Sequence, residues 1–159
     1  MNVQIKILHP LASVPERGTA LSAGYDLIAA IDKPISIRHC NKAIMIPTGV
    51  SIFIDSPNVA GFIFARSGLA HKAGLALSNG VGLVDGDYQN QWFVSAYNRG
   101  QNDEVIINPG DRIAQVVFVP VLHPGFDVVE EFTHVTGRGQ GGFGSTAGFT
   151  HVETALGIK

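Results

Sequence analysis

The chain has one cysteine, Cys40, in 159 residues. An intramolecular disulfide is therefore excluded, and the composition fits a reducing compartment. Charge is sparse as well: eleven Lys and Arg against thirteen Asp and Glu give 15% charged residues and a net charge of -2. No overall positive field draws nucleic acid, so any polyanion site must be local. Long apolar runs are missing. Val116 to Leu122 is the longest, is broken by Pro120, and falls far short of the ~20 residues of a membrane helix. Met1 to Leu8 alternates polar and apolar residues and lacks the apolar core of a secretory signal. His9, His39, His71, His123, His134 and His151 contain no i,i+4 pair and meet no cysteine cluster, which removes the usual zinc spacings. No Ser-His-Asp or Cys-His arrangement can be argued from spacing. These absences predict a cytoplasmic chain with neither a membrane nor a nucleic acid as partner.

A helical period is also scarce, since no stretch sustains it for three turns. The best short helix is Ser67–Ala73, with Ser67 as its N-cap. Strand-like segments recur instead: Val3–Leu8, Leu27–Ala30, Ile35–Ile37, Ala43–Ile46, Val50–Ile54, Gly61–Ala65, Leu75–Leu77, Val81–Val84, Trp92–Ala96, Val105–Ile107, Ile113–Val119 and Asp127–Glu131. Pro34, Pro47-Thr48-Gly49, Asp55-Ser56-Pro57, Asn98-Arg99-Gly100 and Pro109-Gly110 punctuate them. Many short strands at close spacing predict an all-β sandwich or barrel in a single domain. The composition shifts once, near Thr136, where Gly-Arg-Gly-Gln-Gly-Gly-Phe-Gly-Ser-Thr begins. Residues 1–135 read as the β domain, 136–147 as a flexible glycine-rich arm, and 148–159 as a tail with no assigned role.

Five stretches carry candidate chemistry. Asn79-Gly80-Val81-Gly82-Leu83-Val84-Asp85-Gly86-Asp87-Tyr88 reads as a strand entering a turn, with Trp92-Phe93-Val94 as the return strand of an open hairpin. Glycines at 80 and 82 let a flat ring approach the backbone closely. Asn79 both donates and accepts, Asp85 is a carboxylate at a strand end, and Tyr88 offers a ring to lie on a sugar. The plainer reading is a hairpin with an acidic turn. Ala23-Gly24-Tyr25-Asp26-Leu27 places Asp26 at the start of a strand, either as a turn carboxylate or as a holder of water on a hydrated cation. Arg66, Ser67 and Gly68 join a strand to a short helix, where they could converge on a phosphate or form a capped helix with a surface ion pair. Gln115 is a polar side chain in an apolar strand. It needs partners, from backbone, from water or from a phosphate oxygen. Arg138, Phe143, Gly144, Ser145 and Thr146 lie in a loop that lacks the Lys-Ser/Thr ending of a P-loop; it is a linker or an arm that folds over a nucleotide.

Taken in order, AGYDL, ARSGLA, NGVGLVDGDY, GDRIAQVVF and RGQGGFGST closely resemble the five motifs of the trimeric dUTPases, over about Val3 to Thr146. The resemblance implies hydrolysis of dUTP to dUMP and pyrophosphate, which limits uracil in DNA and supplies dUMP for thymidylate synthesis. Its fold would be a jelly-roll-like β-barrel subunit of the β-clip type, assembled as a homotrimer whose active sites are shared between chains. Asp85 would polarise the attacking water. Asn79, Gly82, Leu83 and Val84 would hold the uracil edge, and Tyr88 the deoxyribose, with Phe93 beside it. Arg66, Ser67 and Gly68 would grip the phosphates. Asp26 and Gln115 would hold waters or phosphate contacts around Mg²⁺, Asp26 as an outer-sphere ligand. Arg138, Phe143, Gly144, Ser145 and Thr146 would close over the nucleotide. A dCTP deaminase, a catalytically silent nucleotide-binding module and a purely structural trimer are the competing readings.

Overall fold

A computed structural model describes residues 1–39, 42–100 and 102–141. Among the described residues, eleven strands and one short helix follow in order: β1 Gln4–Ile7, β2 Tyr25–Ile28, β3 Ile35–Arg38, β4 Ile44–Pro47, β5 Val50–Phe53, β6 Val59–Ala65, α1 Ser67–Lys72, β7 Leu75–Leu77, β8 Gly82–Val84, β9 Phe93–Asn98, β10 Glu104–Ile107 and β11 Arg112–Pro120. All named pairings are antiparallel. They make a four-stranded sheet β2-β11-β6-β8, a three-stranded sheet β4-β9-β7, and the pairs β1-β5 and β10-β3.

Alternation explains why these segments are strands. In β10, Val105 and Ile107 face inward while Glu104 and Ile106 face outward, and in β9 Val94, Ala96 and Asn98 are the buried set. One core gathers Leu27, Ile37, Ile46, Ile52, Ile63, Trp92, Val94, Ile107 and Val116, with partners from every sheet. Buried polar groups in it are mostly paired, as burial requires. Thr48 Oγ1 donates to the Trp92 carbonyl at 2.8 Å. Asn98 Nδ2 donates to the carbonyls of Ile37 and Asn102, and its Oδ1 accepts from the Gly100 N–H, which closes the turn between β9 and β10.

Three expectations are corrected. The hairpin after Val84 does not form: β8 pairs with β6, and β9 pairs with β4 and β7. The stretch from Asp85 to Trp92 therefore crosses between two sheets instead of turning back on itself. Ser67 does not cap α1. Arg66 holds the N-cap position with extended backbone (φ -78, ψ 129) and no side-chain cap bond, so Ser67 is the first helical residue. Asp127–Glu131 forms no strand. Its valines suit one, but no described segment pairs with it, and an unpaired strand leaves its backbone polar groups without a ladder.

Met1–His123 form one compact unit and Pro124 onward a second. Within the second, Phe126, Val128, Phe132 and Val135 are strongly exposed. A tight turn, with Gly139 N–H on the Thr136 carbonyl and Gly141 N–H on the Arg138 carbonyl, ends its described part.

Candidate active site

One polar cluster forms where β2, β11 and the β6–α1 junction meet. Asp26 on β2 lies opposite Gln115 on β11, and Gln115 lies opposite Phe64 on β6, so the sheet itself brings the AGYDL, GDRIAQ and ARSG stretches together. The Asp26 carboxylate is shared by two guanidiniums: Arg66 Nε stands 3.0 Å from Oδ1, and Arg112 Nη1 donates to Oδ2 at 3.2 Å. Gln115 Nε2 donates to the Ala65 carbonyl at 3.3 Å, so backbone satisfies one of its donors. Gly24 is needed for that arrangement. A Cβ there would stand 2.5 Å from Gln115 Oε1, closer than real contacts allow. Gly68 is open, with nothing within 4 Å of the place a Cβ would occupy, and Ser67 beside it is exposed.

The second group lies along β8 and the turn after it. Gly80 has φ +71 and empty space where its side chain would be, a backbone that a ligand can approach. Gly82 is buried against Ile63, and Asn79 Nδ2 lies 3.6 Å from where its Cβ would stand, so the Asn79 amide sits over this strand. Leu83 is 61% exposed, and Val84 is half-buried. Asp85 is exposed just past the strand end, and its carbonyl accepts the Tyr88 N–H at 3.3 Å. The Tyr88 hydroxyl donates to the Gln91 carbonyl at 3.3 Å, holding the ring at the surface. Phe93 opens β9 opposite Pro47, in a different sheet. The turn after Asp85 is buttressed from below, because the Asp55 N–H donates to the Gly86 carbonyl at 2.9 Å. A cavity of about 430 Å³ beside it is lined by Asp55, Asp85 and Asp87 with His123, a set of carboxylates that repels polyanions.

Within one chain the two groups stay apart. Gly61 pairs with Val84 in antiparallel register, so one further step on each strand sets Asp85 opposite Ala60. Arg66 lies six residues along the chain from Ala60, about 20 Å at the ~3.3 Å rise of a strand. Asn79 belongs to the Arg66 end of β8 and Asp85 to the other. Arg138 belongs to the second unit, where its Nε donates to the Gly141 carbonyl at 3.1 Å. Phe143, Gly144, Ser145 and Thr146 lie outside the described residues. Residue-by-residue reading gave no role to Gly24 or Arg112. Arg112 lies within the GDRIAQ stretch, but only the sheet shows that it meets Asp26.

Among the described residues, no three of His, Cys, Asp and Glu gather as a cation cage. Magnesium keeps several waters and takes phosphate oxygens directly. A single carboxylate opposite an amide, Asp26 and Gln115, therefore fits a hydrated ion that arrives with a triphosphate.

The sequence model of the family described as dUTPase matches residues 11–147. A deoxyuridine 5'-triphosphate nucleotidohydrolase of Psychrobacter sp. (strain PRwf-1) is 49% identical over 148 residues, covering 89% of this chain and 95% of its own. That of Janthinobacterium sp. (strain Marseille) is 49% identical over 146 residues, covering 91% and 96%. Among solved structures, a mutant of the dUTPase of phage 80alpha superposes with a TM-score of 0.81 at 28% identity, covering 91% of this chain and 98% of that one. The same phage enzyme with dUpNHpp bound superposes at 0.78 with 27–28% identity, covering 91% and 97%. A mutant dUTPase from phage phi11 of S. aureus, described with a structural Mg(II) ion, reaches 0.73 at 25% identity, covering 83% and 99%.

Proposed function

The chain belongs to the dUTPase family, and we infer from that membership and from the site that its reaction is hydrolysis of dUTP to dUMP and pyrophosphate. It is a hydrolase of nucleotide metabolism with an all-β, jelly-roll-like subunit. Uracil sits along Asn79, Gly82, Leu83 and Val84, where Gly80 and the Asn79 amide leave the backbone edge accessible. The Tyr88 ring packs on the deoxyribose and leaves no room for a 2′-hydroxyl, with Phe93 near it. Arg66, Ser67 and Gly68 bind the phosphate chain. Asp85 accepts the proton of the water that attacks the α-phosphorus, and pyrophosphate leaves on the opposite side. Arg138, Phe143, Gly144, Ser145 and Thr146, in the arm of residues 136–147, cover the nucleotide. Asp26 and Gln115 would hold waters of a Mg²⁺, which would supply charge neutralisation at the phosphate oxygens. Positioning and charge neutralisation are what phosphoryl transfer chiefly needs.

The observation that carries this reading is the Arg66 guanidinium, held through Nε on Asp26 beside an open Gly68. Among the described residues it leaves both Nη groups without a hydrogen bond, available to a phosphate where β6 ends. A second observation supports a homotrimer with shared sites. Asp85 and Arg66 stand at opposite ends of the β6–β8 pair, so one dUTP is served by the Asp85 end of one chain and the Arg66 end of another. β6 and β11 also carry Phe62, Phe64, Val117 and Val119 on one half-buried face, apolar surface that suits a neighbouring subunit. Among the described residues, no helix is long and apolar enough to cross a membrane, and we place the enzyme in the cytoplasm.

Product analysis with dUTP, dCTP, dTTP and UTP in Mg²⁺ tests the reading. Pyrophosphate and dUMP from dUTP, with little turnover of the other three, are expected. Ammonia from dCTP would instead identify a deaminase, and no turnover of any would identify a silent nucleotide-binding module.

A further inference from the structure

The register of β2 and β11 breaks at one place. Gln115 and Ala114 face Asp26 and Leu27 in step, but Ile28 then faces Arg112 and not Ile113. Opposed residues in a ladder share a face, and so do residues two apart on one strand. Ile28 therefore shares the face of Asp26 and Gln115. In an unbroken register Ile113 would take that place, and Arg112 would project from the other face with Ala114. A one-residue shift exchanges faces, and bulges re-aim side chains in this way. Here the extra residue brings Arg112 onto the Asp26 face, where Nη1 meets Oδ2 at 3.2 Å.

Asp26 then has one guanidinium on each oxygen. Arg66 engages it through Nε at 3.0 Å, and among the described residues its two Nη groups carry no hydrogen bond. The outer pair adds little stability, since the Arg112 side chain is 59% exposed and such pairs contribute ~0–1 kcal/mol. Its consequence is geometric. With one contact on each oxygen, rotation of the carboxylate about Cβ–Cγ is restrained, and that restrains the Arg66 guanidinium on Oδ1. The remaining lone pairs of Asp26 still accept water.

We propose that Arg112 is a positioning residue for triphosphate binding, acting through Asp26 to orient the Nη fork of Arg66, and that the β11 bulge exists in this chain to place it there. The proposal rests on the reading that Arg66 binds the phosphate chain. The experiment uses the full chain and compares binding of a non-hydrolysable dUTP analogue with binding of deoxyuridine, which has no phosphate. Arg112→Ala should weaken the analogue about tenfold, the scale of one loosened charge-assisted bond, and leave deoxyuridine and the melting temperature nearly unchanged. Arg112→Lys should recover most of the loss by restoring a cation at Oδ2, and it serves as the measurement if the alanine variant folds poorly. In an Arg66→Ala background, Arg112→Ala should add nothing. A full additive loss, an equal loss of deoxyuridine, or wild-type analogue binding by Arg112→Ala beside weakened Arg66→Ala would overturn the proposal while leaving the Arg66 reading intact. Wild-type analogue binding by Arg66→Ala would overturn both.

Discussion

Gly49 and Gly110 share a left-handed backbone, φ +70 and φ +82, but not an environment. A Cβ on Gly49 would lie 2.6 Å from Ala30 Cβ, 2.8 Å from Ala12 Cβ and 2.9 Å from His9 Cβ, whereas one on Gly110 would meet nothing within 4 Å. Gly110→Ala should therefore cost only backbone strain, ~1–2 kcal/mol. Gly49→Ala adds overpacking of ~1–3 kcal/mol to that strain. Thermal melts of the two purified variants should show a clearly larger drop for Gly49→Ala, and equal drops would mean that packing at residue 49 is looser than the structure has it. Asp85 makes the matching case for function. It is exposed at the end of β8 with its side chain free for water. Asp85→Asn keeps the shape but removes the proposed base, so turnover should fall by ~10²–10⁴ while the dUTP analogue still binds. Near-normal turnover in the purified variant would take Asp85 out of the mechanism.

At the level of elements, periodicity located almost every strand but could not name partners. The run of Gly82–Val84 reads as a strand because apolar residues alternate with glycine, yet nothing in that pattern tells that its neighbour is β6, nearly twenty residues back. The turn signal at Asp85-Gly86 therefore suggested a hairpin with Trp92–Val94 that the sheets do not contain. The same limit hid the pairing of Asp26 with Arg66 and Arg112, since residues far apart in sequence meet only through β11, which binds β2 on one edge and β6 on the other. The bulge at Arg112 left no mark in composition, whereas Gly24 directly before β2 was visible and lacked only its reason, the Gln115 side chain. Asp127–Glu131 carries two β-branched valines and stays unpaired. The arm offers a test at this scale. Because Met1–His123 form a compact unit by themselves, truncation after Val135 should leave a cooperatively folding protein that hydrolyses dUTP poorly. If circular dichroism instead shows an unfolded chain, the arm is part of the fold and not a cover for nucleotide.

The whole molecule must explain why the residues of the proposed site are divided along one strand pair. Asp85 and Arg66 occupy opposite ends of β6–β8, and Phe62, Phe64, Val117 and Val119 leave an apolar face of that sheet half-covered. The proposed three-fold ring would answer both facts, since it would bury the face and set the Asp85 end of one chain against the Arg66 end of the next. Light scattering should then report three chains, and a monomer at working concentration would end the account. A stronger test separates contributions within the ring. Asp85→Asn and Arg138→Ala are each expected to be nearly inactive alone. When the two are mixed and allowed to exchange subunits, every ring containing both has one site with a native Asp85 from one chain and a native Arg138 from another. Random exchange of equal amounts should therefore restore about a quarter of the wild-type sites, by counting arrangements on a cyclic trimer. If each chain built its own site, no mixture could regain activity, because every chain carries one lesion that its neighbours cannot repair.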